Sequence, residues 1–255
     1  MKENFSLRAT FYLSLSLVGM LLGSLFPTPL SSLCHLAFVL IALCVEKRLF
    51  EGQATPRFFP RGCFEAPRLW LLLPAFVFLT LGANLLSARL TAALGGALPT
   101  VTPSLSLFLG AVLIAPVTEE LLFRGLILKL LTPYGEGMAI LFSSLLFALA
   151  HGSVFQIPYA LTAGLFLAYA AVVSRGIFLP LSFHLLYNLF VFFGNDIPKT
   201  PLLLSLGTLA LFATVLYLLG EHPRRPAWSK RSSHLSLLPL LLYAAVMLTL
   251  AVLNF

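Results

Sequence analysis

Three charges within six residues set the terms on which this chain can fold. Glu119-Glu120-Leu121-Leu122-Phe123-Arg124 lies inside an apolar run, residues 104–131, whose only other charge is Lys129 near its end. As a helix rising 1.5 Å per residue, such a run is long enough to cross a hydrocarbon core of about 30 Å. A charged side chain near the centre of a membrane helix costs about 2.5–3.5 kcal/mol on insertion scales, so such groups face the protein interior or a water-filled cavity and mark function. The rest of the chain must supply the walls that shield them.

It is apolar enough to do so. Of 255 residues, 59% are hydrophobic and 10% charged, and mean hydropathy is +0.98; about 25% charged residues is usual in a soluble domain. Apolar runs recur at 9–26, 30–45, 69–86, 104–131, 138–151, 158–174, 180–194, 202–219 and 235–254. This pattern predicts an all-α, polytopic transmembrane helical bundle of about 8–9 transmembrane helices, a single integral membrane domain over residues 1–255 with no room for a soluble one. The first run follows a basic segment, as a signal peptide would, but it is long for one and no small-x-small site follows, so it reads as a retained helix. The longest hydrophilic connection is 46–68, and 87–103 reads as a Gly/Pro-punctuated connection along the interface.

The net charge of +7 does not point to nucleic acid, because the basic residues lie between apolar runs and no aromatic-interleaved basic patch occurs. Topology accounts for them. With a cytoplasmic amino terminus and nine helices, the inside connections 1–8, 46–68, 129–137, 175–179 and 220–234 hold 13 of the 16 Lys and Arg residues. Cys34, Cys44 and Cys63 have no CxxC spacing and read as free thiols.

Besides the three charges of the fourth run, His35, His151, His184 and Asn188 are the conspicuous polar groups within apolar runs. Glu120 and Arg124 stand four apart, as do His184 and Asn188, so each pair shares a helix face, while Glu119 is turned about 100° from Glu120. Glu119 precedes Leu131 by 12 residues and His151 follows Met138 by 13, which on antiparallel neighbours puts both about 18–20 Å from the turn between them. His184 fits this depth less well, being only a few residues past the turn at 175–179; either that turn dips into the protein or the helix ends differ. The bland readings are an internal salt bridge for Glu119, Glu120 and Arg124, and interhelical hydrogen bonding for His184 and Asn188. His35 has no motif around it and reads as structural, His222 and His234 as solvated, and Phe147 as packing that shapes a cavity.

Taken together, Glu119-Glu120-x-x-x-Arg124, Phe147-x-x-x-His151 and His184-x-x-x-Asn188 resemble, in order, the three signature motifs of the CAAX protease and bacteriocin-processing (CPBP, or Abi) family of intramembrane proteases, which includes the type II CAAX endopeptidases. The motif region, 104–194, is the part that resembles the family's core. The resemblance implies an intramembrane endopeptidase acting on a membrane-associated protein or peptide, in a bacterial-type cytoplasmic membrane. Glu119 would activate water with help from His151, His184 and Asn188 would bind the oxyanion, and Glu120 and Arg124 would form a supporting pair. That chemistry is reasonable in itself, since peptide hydrolysis needs a general base and donors placed where negative charge grows.

The family has been described both as metalloproteases and as glutamate-dependent proteases. Glu119, His151 and His184 could supply a two-histidine, one-carboxylate site for a divalent metal such as zinc, and no HExxH spacing decides between the two. Two other classes use the same residues. One is a proton-coupled transporter with an intramembrane Glu/His site, against which stands the absence of an inverted repeat. The other is a catalytically silent membrane immunity or scaffold protein.

Overall fold

The computed structural model describes residues 5–49, 67–95, 102–194, 199–219 and 238–253. Among these residues there are helices and no strands. The order is α1 Phe5–Gly23, α2 Leu30–Leu49, α3 Leu72–Ala93 entered through a 3-10 turn at Pro67–Leu71, α4 Leu105–Tyr134, α5 Glu136–Ala150, α6 Ile157–Ser174, α7 Phe178–Phe193, α8 Lys199–Leu219 and α9 Leu238–Leu253. Five of them are long and apolar enough to cross a membrane: α1, α2, α3 with its entry turn, α4 and α6. The chain is an integral membrane protein. Exposed Leu21, Leu211, Phe212 and Leu241 clothe its outside, which in lipid is the solvated arrangement.

α4 runs through the middle. It packs on α1, α2, α5 and α7, while α5 and α6 form a close pair and α3 packs on α6 and α8. Glu120 to Ile127 are all buried, eight consecutive residues with no lipid-facing side. α4 is not uniformly α-helical, as its sequence suggests, but widens into π-helical turns at Phe108–Ile114 and Glu120–Ile127. The first has a local cause: Pro116 has no N–H and its ring would clash with the carbonyl four residues back, and the chain widens just before it, with the Ala115 N–H reaching the Gly110 carbonyl. π turns of this kind occur often at functional sites.

α5 and α7 are 15 and 16 residues long, about 22–24 Å and so shorter than a hydrocarbon core of about 30 Å. Helices this short leave a connection at one of their ends within a bilayer's depth, which is tolerated where backbone lines a cavity; residues 151–156 after α5 do line one, through His151, Phe155 and Gln156. Gly152 takes φ +63° there, in the left-handed region open to glycine.

Several expected boundaries move. Glu46 belongs not to a polar connection but to α2, fully buried, where Arg8 Nη2 donates to its Oε1 at 2.6 Å and the Tyr12 hydroxyl donates to Oε2. Arg8 itself, expected in a polar tail, is 2% exposed on α1. Each charge keeps the other inside the bundle. Ser87 lies within α3, which continues to Ala93 through a run rich in good helix formers. α7 starts at Phe178, with Pro180 in its first turn rather than at its first position. The connections at 50–66 and 220–234, with Cys63, His222 and His234, fall outside the described residues, and Cys34 and Cys44 are free thiols.

The α1–α2 clasp makes a prediction. Removing one member of a buried ion pair leaves an uncompensated charge and costs about 3–5 kcal/mol, whereas apolar replacement of both is far milder. Arg8→Met should thus lower the thermal unfolding midpoint of the detergent-solubilised protein sharply, and adding Glu46→Leu should recover most of the loss.

Candidate active site

The charged motif of α4 divides its two carboxylates between two environments. Glu120 points into the bundle with its side chain fully buried. Its Oε1 accepts from Arg124 Nη1 at 2.9 Å, one turn along the same helix, and from His184 Nδ1 on α7 at 2.9 Å. Arg124 Nη2 donates to the Gly164 carbonyl of α6 at 3.1 Å, and its guanidinium lies 4.4 Å from the centre of the Phe147 ring of α5. One buried ion pair therefore touches three further helices. Gly164 is required at this crossing: a Cβ there would stand 3.1 Å from Ser144 Cα and 3.2 Å from the Phe147 ring.

Glu119 faces the other way. Its side chain is 24% exposed and lines a cavity of about 570 Å³, within the range of small-molecule and peptide sites. His151, His184 and Asn188 line the same cavity. All four groups thus converge on one space, between α3, α4, α5, α6 and α7.

Hydrogen bonds assign the histidine protons. A carboxylate or carbonyl oxygen only accepts, so His184 Nδ1 carries the proton it gives Glu120, and its Nε2 stands 3.7 Å from Glu119 Oε2. His151 Nδ1 likewise donates to the Phe147 carbonyl at 2.9 Å, one turn back at the end of α5, which leaves Nε2 as the ring's other nitrogen. Phe147 fixes both rings, edge-on to His151 at 4.9 Å and to His184 at 5.8 Å. Asn188 gives one amide hydrogen to the Ala111 carbonyl at 3.0 Å, in the first π-helical segment of α4, and has a second to spare.

The depth of His184 has a structural answer. α7 begins only six residues before it, about 9 Å, because the turn from α6 is recessed. Gly176 and Ile177 are buried, and Arg175 bends the chain at φ 56° with its own side chain exposed. His35 of α2 is near enough to Glu119 to interact with its charge but does not line the cavity, and its Nε2 lies 3.0 Å from Ser16 Oγ on α1.

Among the described residues, no three His, Cys, Asp or Glu side chains are arranged to hold a metal ion. Glu119, His151 and His184 share the cavity wall without closing into such a group. The cavity also includes residues that the motifs do not name: Tyr159, edge-on to His151 at 5.7 Å, and Asn84, Ser87 and Tyr187. For α3 a sequence signal existed, since Thr80, Asn84, Ser87 and Thr91 fall at spacings of four, three and four along one helix face.

Comparison with known proteins agrees with the motif reading. Residues 100–190 match the family described as Type II CAAX prenyl endopeptidase Rce1-like, and this segment spans α4 to α7 and every motif residue. No curated protein and no solved structure matches the chain.

The tight crossing at Gly164 is testable. Gly164→Val should destabilise the protein by about 1–3 kcal/mol through overpacking and reduce activity as Phe147 is displaced. Gly82→Ala on α3, where a Cβ meets nothing within 4 Å, should leave both unchanged.

Proposed function

We propose, for a chain whose residues 100–190 match the CAAX endopeptidase family, that this cavity hydrolyses a peptide bond of a membrane-associated protein or peptide, with Glu119 activating water. The observation that carries the reading is the split of adjacent carboxylates. Glu120 is sealed, its Oε1 paired with Arg124 and hydrogen-bonded by His184, while Glu119 is open to the cavity beside them. Two carboxylates held in unlike environments are how one site separates a structural charge from a working base.

A water in the cavity donates one hydrogen bond to Glu119 and another to His151 Nε2. Glu119 takes its proton as the oxygen attacks the scissile carbonyl, and the carbonyl π electrons move to oxygen to give the tetrahedral oxyanion. The spare Asn188 N–H and, when the ring carries both protons, His184 Nε2–H donate to that oxygen. Glu119 then gives its proton to the leaving nitrogen as the C–N bond breaks, so one water is consumed and the base is regenerated. In this scheme Glu119 is the base and no metal is invoked; among the described residues no three His, Cys, Asp or Glu side chains stand together to hold one. The matched family's description makes a prenylated CAAX carboxyl terminus the first substrate to try. The distribution of Lys and Arg supports a cytoplasmic amino terminus, and the motif resemblance implies a bacterial-type membrane.

Two measurements test this on quenched-fluorescence peptides, with and without a terminal farnesyl group, in detergent micelles. Glu119→Gln should lower kcat by about 10²–10⁴, the usual contribution of a general base, with the melting temperature intact. Cleavage at the wild-type rate by that variant would refute the mechanism. Exhaustive treatment of the wild-type enzyme with EDTA or 1,10-phenanthroline should leave its rate unchanged, and loss restored by zinc would replace the water-activation scheme with a metal-bound one.

A further inference from the structure

The far end of the cavity has polar groups for which hydrolysis itself has no use. Asn84 and Ser87 of α3 line it, together with Tyr187 of α7, one turn past His184. Ser87 and Tyr187 are 3% and 5% exposed, and neither hydroxyl has a hydrogen-bond partner among the described residues. The Tyr187 ring rests edge-on against Phe76 of α3 at 5.7 Å, and Asn84 is near enough to interact with its hydroxyl, though without the geometry of a hydrogen bond. Neighbouring Thr91, by contrast, is satisfied locally by the Ser87 carbonyl at 2.8 Å. Buried hydroxyls without partners are unusual and call for an explanation, and here two of them flank one carboxamide on the wall of one cavity.

Their position says what they would meet. α3 and α7 run side by side in the same direction, with Trp70 and Phe76 against Phe183 and Tyr187. Asn84 and Ser87 lie eight and eleven residues beyond Phe76, about 12 and 16 Å further along, toward the end where Leu107 of α4 lines the cavity. An extended peptide rises about 3.3 Å per residue. With Phe76 level with Phe183 and Tyr187, which its ring touches, a chain held beside His184 and running toward Leu107 would pass Tyr187 first and Asn84 and Ser87 about three to five residues from the bond being cut. In a cavity shielded by apolar helices, every peptide group of an extended segment needs a partner. A carboxamide and two hydroxyls can each both donate and accept.

We propose that Asn84, Ser87 and Tyr187 form a backbone-binding subsite that holds the substrate as an extended polypeptide segment, recognised through its peptide groups and not its side chains. The proposal rests on the hydrolase reading and adds a substrate class to it: unfolded segments with at least three residues on one side of the cut, of tolerant sequence. The side chains of Phe76, Leu107, Val191 and Phe192 give that segment an apolar lining.

The test separates binding from cleavage. In the Glu119→Gln background, Ser87→Ala and Tyr187→Phe should each raise the Kd of the farnesylated and plain peptides by about three- to tenfold, the worth of one hydrogen bond. In the active enzyme KM should rise by the same factor with kcat within about twofold, the signature of lost uniform binding. Methylating peptide nitrogens three to five residues from the cut should weaken wild-type binding similarly but add nothing in the Ser87→Ala/Tyr187→Phe double variant. Unchanged Kd in folded variants, or methylation effects that persist undiminished in the double variant, would overturn the subsite while leaving the hydrolase intact. Binding sensitive to these variants without any wild-type cleavage would instead overturn the hydrolase.

Discussion

Glu120 is the constraint around which this bundle is arranged. A carboxylate at membrane depth is tolerable only when paired and hydrogen-bonded, and its partners come from three directions: Arg124 on its own helix, His184 on α7 and, through Arg124, the Gly164 carbonyl of α6. Holding its Oε1 brings α6 and α7 to α4 at one level. Phe147, wedged against Arg124, His151 and His184, adds α5 to the same point. Breaking a buried pair of this kind is costly while the pair itself adds little net stability, so its role is to specify which helices meet and where. Glu119, next in sequence, inherits the resulting geometry and stays open to the cavity.

The short helices matter as much as the charges. α5 stops at Ala150 and α7 starts at Phe178 behind a recessed turn, so His151 sits at the end of one short helix and His184 on the second turn of the other. A full-length pair would have put apolar side chains where the cavity now lies. The α1–α2 hairpin, fastened at Arg8 and Glu46, backs α4 on the side away from the cavity walls formed by α3, α6 and α7.

Much of this was legible in the chain. Charges and histidines stand out against runs of Leu, Phe and Ala because burying them is expensive, and the same contrast reveals the helices. What the residues concealed depends on partners distant in sequence. Glu46 reads as the start of a polar connection until Arg8 and Tyr12 are seen beside it, and His184 reads as too shallow until the turn before it sinks. The π-helical turns of α4 leave no mark beyond Pro116, and the second has no comparable cause in its own residues. The stripe on α3 was visible as a spacing, but its meaning required the cavity.

The pairing of Glu120 also orders the birth of the molecule. His184 lies 64 residues downstream of Glu120, which at about 5–20 residues per second is about 3–13 s of synthesis. During that interval α4 must be held by the insertion machinery or by the already completed α1–α2 hairpin, with Arg124 alone neutralising the carboxylate one turn away. An i,i+4 pair within a single helix is the one partner that emerges from the ribosome almost together with the charge it protects. The pair that later gathers the helices around the cavity thus first serves as a passport through the translocon.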